Sequence, residues 1–382
     1  MKKKNRTLGK IAILLQSITL TLVAGLAVAG PVQAQSINWL DKDVYAGSSE
    51  ISWYQPKLAG NANGDFVVVG YQSGTTLGPI AYWEGYNPWN ETSLDGAGSS
   101  TEYALGAAPS AAMVSFIDLL SYSAVIDVHQ GGQDNGAALW SHVAVYASNP
   151  YGSAPIGVPL NFTDGVEYDI GYNATVAADP DAEDFSPGGV LTPMGSMTTV
   201  VEVHQAAAGI SNLWYHVGYV YVTPSGVPTL DWGPSYQFDG GYLPSVAVCN
   251  GVAIEVHEGS PGSLWYSVGK VSGNSISWSG SSKYDNGYAP SISCGITGYV
   301  VEVHQATSPA IGQSSALWYR VAPFTSAEVS WTTSTEYDTG CNPTVAFSYT
   351  LANTPQYLAE AHSKACGRVG PLVYDYGLFE LP

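Results

Sequence analysis

Charge is the scarcest property of this chain: 11% of its 382 residues are charged, with 12 Lys and Arg against 31 Asp and Glu. Soluble domains usually carry about a quarter. So few cations cannot neutralise a polyphosphate, which argues against nucleic acid as a partner. Beyond residue 34 the only arginines are Arg320 and Arg368, too few to cluster around an anionic substrate. The sequence contains no Gly-x-Ser-x-Gly, no His-Glu-x-x-His, no phosphate loop and no dinucleotide fingerprint, so the commonest hydrolase and nucleotide chemistries have no anchor. Cys-x-x-Cys is also absent, which leaves zinc and thiol-redox chemistry without support. Past the N-terminus no stretch shows the 3.6-residue apolar period of a helix.

What is abundant suits strands and tight turns. The chain has 26 Tyr, 11 Trp and 8 Phe, residues that favour pleated, half-buried surfaces. It also has 43 Gly and 23 Pro, enough for many turns and short of low-complexity disorder. The length allows several domains, although all-β chains often run long as one unit. One apolar run stands apart: Lys2, Lys3, Lys4, Arg6 and Lys10 precede residues 11–30, followed by Val32-Gln33-Ala34. This is the plan of a secretory signal over residues 1–34, with cleavage expected after Ala34. An uncleaved anchor is the alternative, disfavoured by Gln16, Ser17 and Thr19 inside the run. Cleavage leaves 7 basic residues against 31 acidic ones, a net charge of 7 − 31 = −24. No later run is long enough to span a bilayer. The expected location is secreted, periplasmic or cell-surface, with no integral membrane segment.

Internal repeats organise residues 35–382, which are expected to form a single domain. Val-Val-Glu-Val-His-Gln stands at 200–205 and again at 300–305. Close variants carry Asp127 and His129, Glu255 to Glu258, and Glu360 and His362; Phe66 to Gln72 is a degraded copy. Each copy is followed by a second apolar run such as Leu213-Trp214-Tyr215, then by a short segment ending in Trp89, Phe162, Trp232, Trp278 or Trp331. A turn of the form Tyr-Asp-x-Gly comes next (Tyr168-Asp169, Tyr284-Asp285 and Tyr337-Asp338, with Phe238-Asp239 as a variant). The unit then restarts with a strand led by Pro109, Pro244, Pro290 or Pro343. The Glu-x-His positions lie 47 to 75 residues apart. Four short strands in about 50 residues make a propeller blade. At the N-terminus Ile37-Asn38-Trp39 matches a fourth strand, while Leu372-Val373-Tyr374 near the C-terminus matches a third. The expectation is an all-β, six-bladed β-propeller of four-stranded blades. The N-terminal strand would complete the last blade, closing the ring and removing its exposed edge.

On these repeats the chain resembles β-propeller repeat proteins over essentially all of residues 35–382. Among them it looks most like secreted bacterial propeller lectins, in which an aromatic-rich motif recurs once per blade. That resemblance implies a recognition module for carbohydrate or glycoconjugate. It does not extend to sialidases, because Ser-x-Asp-x-Gly-x-Thr-Trp is absent and their substrate carboxylate needs an arginine cluster.

Alternating strand direction places the Asp-x-Gly turns and the loops after His-Gln on one face of the disc. The candidate ligand-binding residues there are His204, Gln205, His257, Glu258, His304 and Gln305, with Asp169, Asp239, Asp285 and Asp338. Tyr172, Tyr242 and Tyr288 follow the turns and are expected in exposed loops, where aromatic faces can stack on sugars. Glu202 and His204 are two apart on a strand and share a side, so between stacked blades they must hydrogen-bond. Three readings follow: a network through the turn Asp or the Tyr of the third strand, a polar rim contacting ligand, or a metal site. Repetition favours the network. Trp140, Trp214, Trp265 and Trp318 are expected in the core between blades.

These observations point to an exported, non-catalytic module binding carbohydrate at several weak sites that gain by multivalency. The alternatives are an exported hydrolase or lyase with one site at the propeller mouth, where paired carboxylates would act, or a protein-binding scaffold. Roughly 20 extra residues interrupt the repeat and carry Asp179, Asp181, Glu183 and Asp184. A solvated acidic loop is the favoured reading, with Ca²⁺ as the alternative; no other cofactor is expected. Among the cysteines, Cys341 and Cys366 lie on one face of the last blade and are expected to pair. Cys249 and Cys294 end adjacent first strands and can pair if those strands converge to within about 7 Å.

Overall fold

A computed structural model describes residues 36–45, 53–60, 65–72, 78–86, 95–96, 101–116, 122–131, 137–147, 160–179, 197–223, 227–260, 262–295, 298–348, 356–367 and 372–379. The expected signal segment lies outside them. The described elements are all antiparallel β-strands; no helix among these residues is long and apolar enough to cross a membrane.

The chain opens with β1 (Ile37–Tyr45) and then runs through meanders of one plan. β2 (Trp53–Gly60), β3 (Asp65–Gln72) and β4 (Gly78–Tyr86) pair in order, and β4 also takes β5 (Asp95–Gly96) and the start of β6 (Thr101–Phe116). The rest of β6 pairs with β7 (Tyr122–Gln130), β7 with β8 (Ala137–Ala147), and β8 with the start of β9 (Val166–Ala178). The rest of β9 pairs with β10 (Thr198–Ala207) and β10 with β11 (Ile210–Val222), whose edge carries β12 (Pro228–Trp232) and β13 (Tyr236–Gly240). β14 (Tyr242–Cys249), β15 (Val252–Ser260) and β16 (Ser263–Ser272) repeat this, with β17 (Ser275–Trp278) and β18 (Ser282–Asp285) on the edge of β16. β19 (Tyr288–Gly295), β20 (Tyr299–Gln305) and β21 (Ser315–Pro323) lead to the start of β22 (Thr335–Ser348). The rest of β22 pairs with β23 (Gln356–Ser363), and β23 with β24 (Leu372–Phe379). β24 pairs in turn with β1, from Ile37 opposite Phe379 to Tyr45 opposite Leu372.

The Tyr-Asp segments differ from the expected turns. Tyr236 to Gly240 and Ser282 to Asp285 are paired strand, lying against the same third strand as the segment ending in Trp232 or Trp278. Each outer strand is therefore broken in the middle, at Gly233-Pro234-Ser235 and Ser279-Gly280-Ser281, and the chain turns only at x-Gly.

Second strands are buried on both faces, which explains their continuous apolar runs. On β10, Val201 and Val203 pack with Val246, Val248 and Ala253 of the following meander. Val200 faces the preceding one, with Ala112 and Ile126. Glu202 and His204 share that second side by alternation. First strands lie side by side: β2 contacts β6, β6 contacts β9, β9 contacts β14, β14 contacts β19, β19 contacts β22, and β22 contacts β2. Small hydroxyls tie them together. Ser110 Oγ accepts the Val176 N–H at 3.2 Å, Ser245 Oγ that of Ile292 at 3.2 Å, and Thr344 Oγ1 that of Leu58 at 3.1 Å. Cys249 pairs with Cys294 and Cys341 with Cys366, at Cα separations of 6.3 and 5.2 Å. Disulfides of this kind fit an oxidising compartment.

Candidate functional site

The repeated polar residues meet where one meander packs on the next. His204 Nδ1 lies 3.1 Å from both oxygens of Glu202, and the same bond recurs in His257–Glu255, His304–Glu302 and His362–Glu360. The far edge of each ring looks across the interface at an Asp of the preceding meander. His204 Nε2 is 3.7 Å from Asp169 Oδ2, His304 Nε2 is 3.6 Å from Asp285, and His362 Nε2 is 3.3 Å from Asp338. This contact explains the glycine of Asp-x-Gly. A Cβ on Gly171 or Gly287 would stand 2.5 Å from the ring of His204 or His304, so any larger residue would push the meanders apart.

The aromatic before each Asp completes the interface. Tyr337 Oη donates to Glu360 at 2.9 Å. Tyr168 and Tyr284 hold the corresponding places beside Glu202 and Glu302, and burial, followed by those carboxylates, raises their phenols well above 10. Phe238 has no hydroxyl to offer, and burial raises the pKa of Glu255 against the pull of His257. These same rings stack on the terminal aromatic of the following meander: Tyr168 on Trp232, Phe238 on Trp278, Tyr284 on Trp331, and Tyr337 on Trp39 of β1 at 5.0 Å. The network therefore runs through the turn Asp, one of the two expected routes, and through the tyrosine of the Tyr-Asp pair in place of a third-strand tyrosine. The third-strand tyrosines instead pack edge-on, as Tyr215 does on Trp278. Trp140, Trp214, Trp265 and Trp318 are only half-buried.

Sequence reasoning missed one member of each cluster. Two positions past the Trp of the third strand, or past Val373 in the last one, His142, His216, Ser267, Arg320 and Asp375 lie directly opposite Asp127, Glu202, Glu255, Glu302 and Glu360. This position gives each interface its own chemistry. His216 Nε2 is 2.8 Å from Asp169 Oδ2, and its Nδ1 is 2.8 Å from the Gly233 carbonyl. Arg320 Nε donates to Asp285 at 2.6 Å, whereas Ser267 Oγ donates to Asp239 at 3.0 Å. Burial raises the Asp169 carboxyl, but His216, the Ile170 N–H and Ser235 outweigh it and bring the pKa down to about 2. His216, His257, His304 and His362 all lie above the usual imidazole value: burial opposes their charge, and the adjacent carboxylates overcome it.

Gln205, Gln305 and Glu258 reach across the interface to hold strained backbone of the following meander. The N–H groups of Leu243, Asn342 and Ala289 donate to them at 3.0, 2.6 and 2.7 Å. All three acceptor-bound residues are left-handed, with φ of 49, 51 and 48°, a conformation non-glycine residues rarely adopt. Tyr172, Tyr242 and Tyr288 differ from the expected loops. They are partly buried strand residues, paired with Gln205, Glu258 and Gln305.

Thus the histidines and Glu202, Glu255, Glu302 and Glu360 are buried, and the turn Asp is the member that reaches solvent, with 28% of the Asp169 side chain exposed. Asp127 with His129 and His142, Asp169 with His204 and His216, Asp239 with Glu255 and His257, and Asp338 with His362 and Asp375 gather ligand atoms within 4.8 Å. These are zinc-type donors, and hydrogen bonds already link Asp127 to His129, Asp169 to His216 and Glu255 to His257. Of the acidic insertion, Asp179 is described: its carboxylate accepts the Asn250 and Gly251 N–H groups at 3.1 and 2.8 Å, capping the β14–β15 turn. Asp181, Glu183 and Asp184 lie outside the described residues.

The chain matches no protein-family model and no curated protein. Among solved structures it is similar to a protein of unknown function from Dyadobacter fermentans, at 9% identity and TM-score 0.50, covering 90% of this chain and 99% of that one. It is also similar to the Aleuria aurantia lectin in complex with Fucα1-6GlcNAc, at 15% identity and TM-score 0.50, covering 86% and 96%. An α-L-arabinanase of Penicillium chrysogenum follows at 11% identity and TM-score 0.42, covering 89% and 97%. At such identities likeness concerns the fold alone: the chain has a β-propeller architecture of the kind found in propeller lectins.

Proposed function

We propose that residues 35–382 close as a six-bladed ring, with β1 completing the last blade. We further propose an exported, non-catalytic module that binds carbohydrate at several positions on the face carrying the Asp-x-Gly segments. The observation that carries this reading is recurrence: successive interfaces present the same Asp over the same buried Glu–His pair. A catalytic centre is normally unique, whereas repeated shallow sites gain by multivalency. Asp169, Asp239, Asp285 and Asp338, with Tyr172, Tyr242 and Tyr288, would meet the ligand. His204, His257, His304, Gln205, Glu258 and Gln305 would position them from beneath. The fucoside complex of the Aleuria aurantia lectin is in keeping with a carbohydrate ligand.

The hydrolase alternative needs two carboxylates at the propeller mouth. The described residues lining the cavity there include no acid, which favours the recognition reading. A glycan array run beside a hydrolysis screen tests it. Several equivalent sites without product are expected; a single site that releases product would overturn the reading.

A further inference from the structure

Lys57 breaks the pattern of the first strands. Opposite the second strand, Ser110, Thr175, Ser245, Ser291 and Thr344 occupy one register position, and Lys57 holds the same place on β2. Where Ser110, Ser245 and Thr344 accept an N–H from the next first strand, an ammonium can only donate.

Lys57 and Thr175 line one open cavity between the first strands, walled by Pro56, Pro109, Pro244, Pro290 and Pro343 among others. Two polar groups on this wall lack partners. Lys57 makes no hydrogen bond or ion pair with any described residue, and the hydroxyl of Thr175, only 6% exposed, has no hydrogen-bond partner either. Of the other described lining residues none ionises. The cavity thus holds one cation and one unused hydroxyl and no group of opposite charge among its described lining residues.

We propose that this cavity binds a carboxylate-bearing ligand, with Lys57 as its counter-ion and Thr175 as the hydroxyl that hydrogen-bonds it. The inference does not rest on the rim sites, which use other residues. One cation and one hydroxyl match a single carboxylate, whereas a phosphate dianion calls for several charged donors. Proline rings and Leu243 offer a surface for the ligand's carbon skeleton. Burial lowers the Lys57 pKa to about 8, which leaves the amine mostly protonated at neutral pH, and a bound carboxylate would raise it again.

The shared chemistry is the carboxylate, carried either by an acidic sugar or by a simple organic acid. The test uses the whole exported chain with isotope-labelled dimethyl-lysine and follows the Lys57 resonance by NMR. Glucuronate, acetate, glucose and inorganic phosphate are the titrants. Glucuronate should shift the resonance and glucose should not. Acetate matching glucuronate assigns the site to simple carboxylates; glucuronate binding more tightly assigns it to acidic sugars. Lys57→Met and Lys57→Gln, checked for folding by circular dichroism, should each weaken glucuronate binding at least about tenfold, with a smaller loss for Thr175→Val. The proposal fails if about 10 mM glucuronate leaves the wild-type resonance unmoved, a range that reaches even weak sites. It also fails if glucose or phosphate shifts the resonance as strongly, or if both Lys57 variants bind like wild type.

Discussion

Replacing Asp169 by Asn should cost more stability than the same change at any interface lacking a strand-three cation. Asp169 faces His216 at 2.8 Å and has its pKa lowered from 3.8 to about 2, a shift worth about 2.5 kcal/mol at neutral pH. Because the folded value is the lower one, this stability is present above the unfolded pKa and disappears as the pH falls through the folded one. The internal control is Asp239→Asn. That carboxylate accepts from Ser267 at 3.0 Å, Ser281 at 3.3 Å and the Gly240 N–H at 2.8 Å, with no strand-three cation facing it, so the loss should be about 1 kcal/mol. His216 provides a second signature. Its folded pKa is raised, so its contribution is complete below about 6.5 and fades as the pH rises beyond that, a fade that Asp169→Asn should blunt. Urea unfolding of both variants and the wild type across the pH range measures all three effects. Equal costs at the two positions would refute the reasoning, as would an Asp169→Asn deficit that persists unchanged below pH 2.

Three further outcomes are expected. Gln305→Ala strips the acceptor from the Asn342 N–H, bonded at 2.6 Å to a left-handed residue, and should lower stability by about 1–3 kcal/mol in chemical denaturation; a neutral result would show that the strained residue needs no anchor. Removing the disulfides opens sequence loops of 45 and 25 residues, which loop-closure entropy values at roughly 4 and 3.5 kcal/mol. Serine variants of each pair should melt earlier in that order. Deleting residues 36–45 strips β24 of its outer partner along its whole length and leaves a bare edge, so the truncated chain should self-associate in sedimentation velocity; a stable monomer would contradict closure by β1.

The strand plan was legible because each second strand is buried on both sides, so Val-Glu-Val-His repeats survive as contiguous words. The cysteine pairs were legible for a similar reason: Cys249 and Cys294 end adjacent first strands, while Cys341 and Cys366 share one meander. The Tyr-Asp segments were harder to place. Asp-x-Gly has turn chemistry, but the break that bends the outer strand comes earlier, at Gly233-Pro234-Ser235. Left-handed Leu243, Ala289 and Asn342 left no local trace, since a residue before proline favours extended backbone and the stabilising acceptor belongs to another meander. The strand-three members were readable in principle. Counting two past Trp214 and Trp318 gives His216 and Arg320, on the same side as Glu202 and Glu302. Their variety hid them, because His, Ser, Arg and Asp do not look like one repeated position.

The most direct measurement is ligand stoichiometry, obtained by native mass spectrometry of residues 35–382 with the strongest glycan from the array. Several ligand molecules per chain, reduced one at a time by Asp169→Asn, Asp285→Asn and Asp338→Asn, with no cleaved product, is the expected result. One ligand per chain with product accumulating, or binding indifferent to all three substitutions, would contradict recognition by repeated sites on this face.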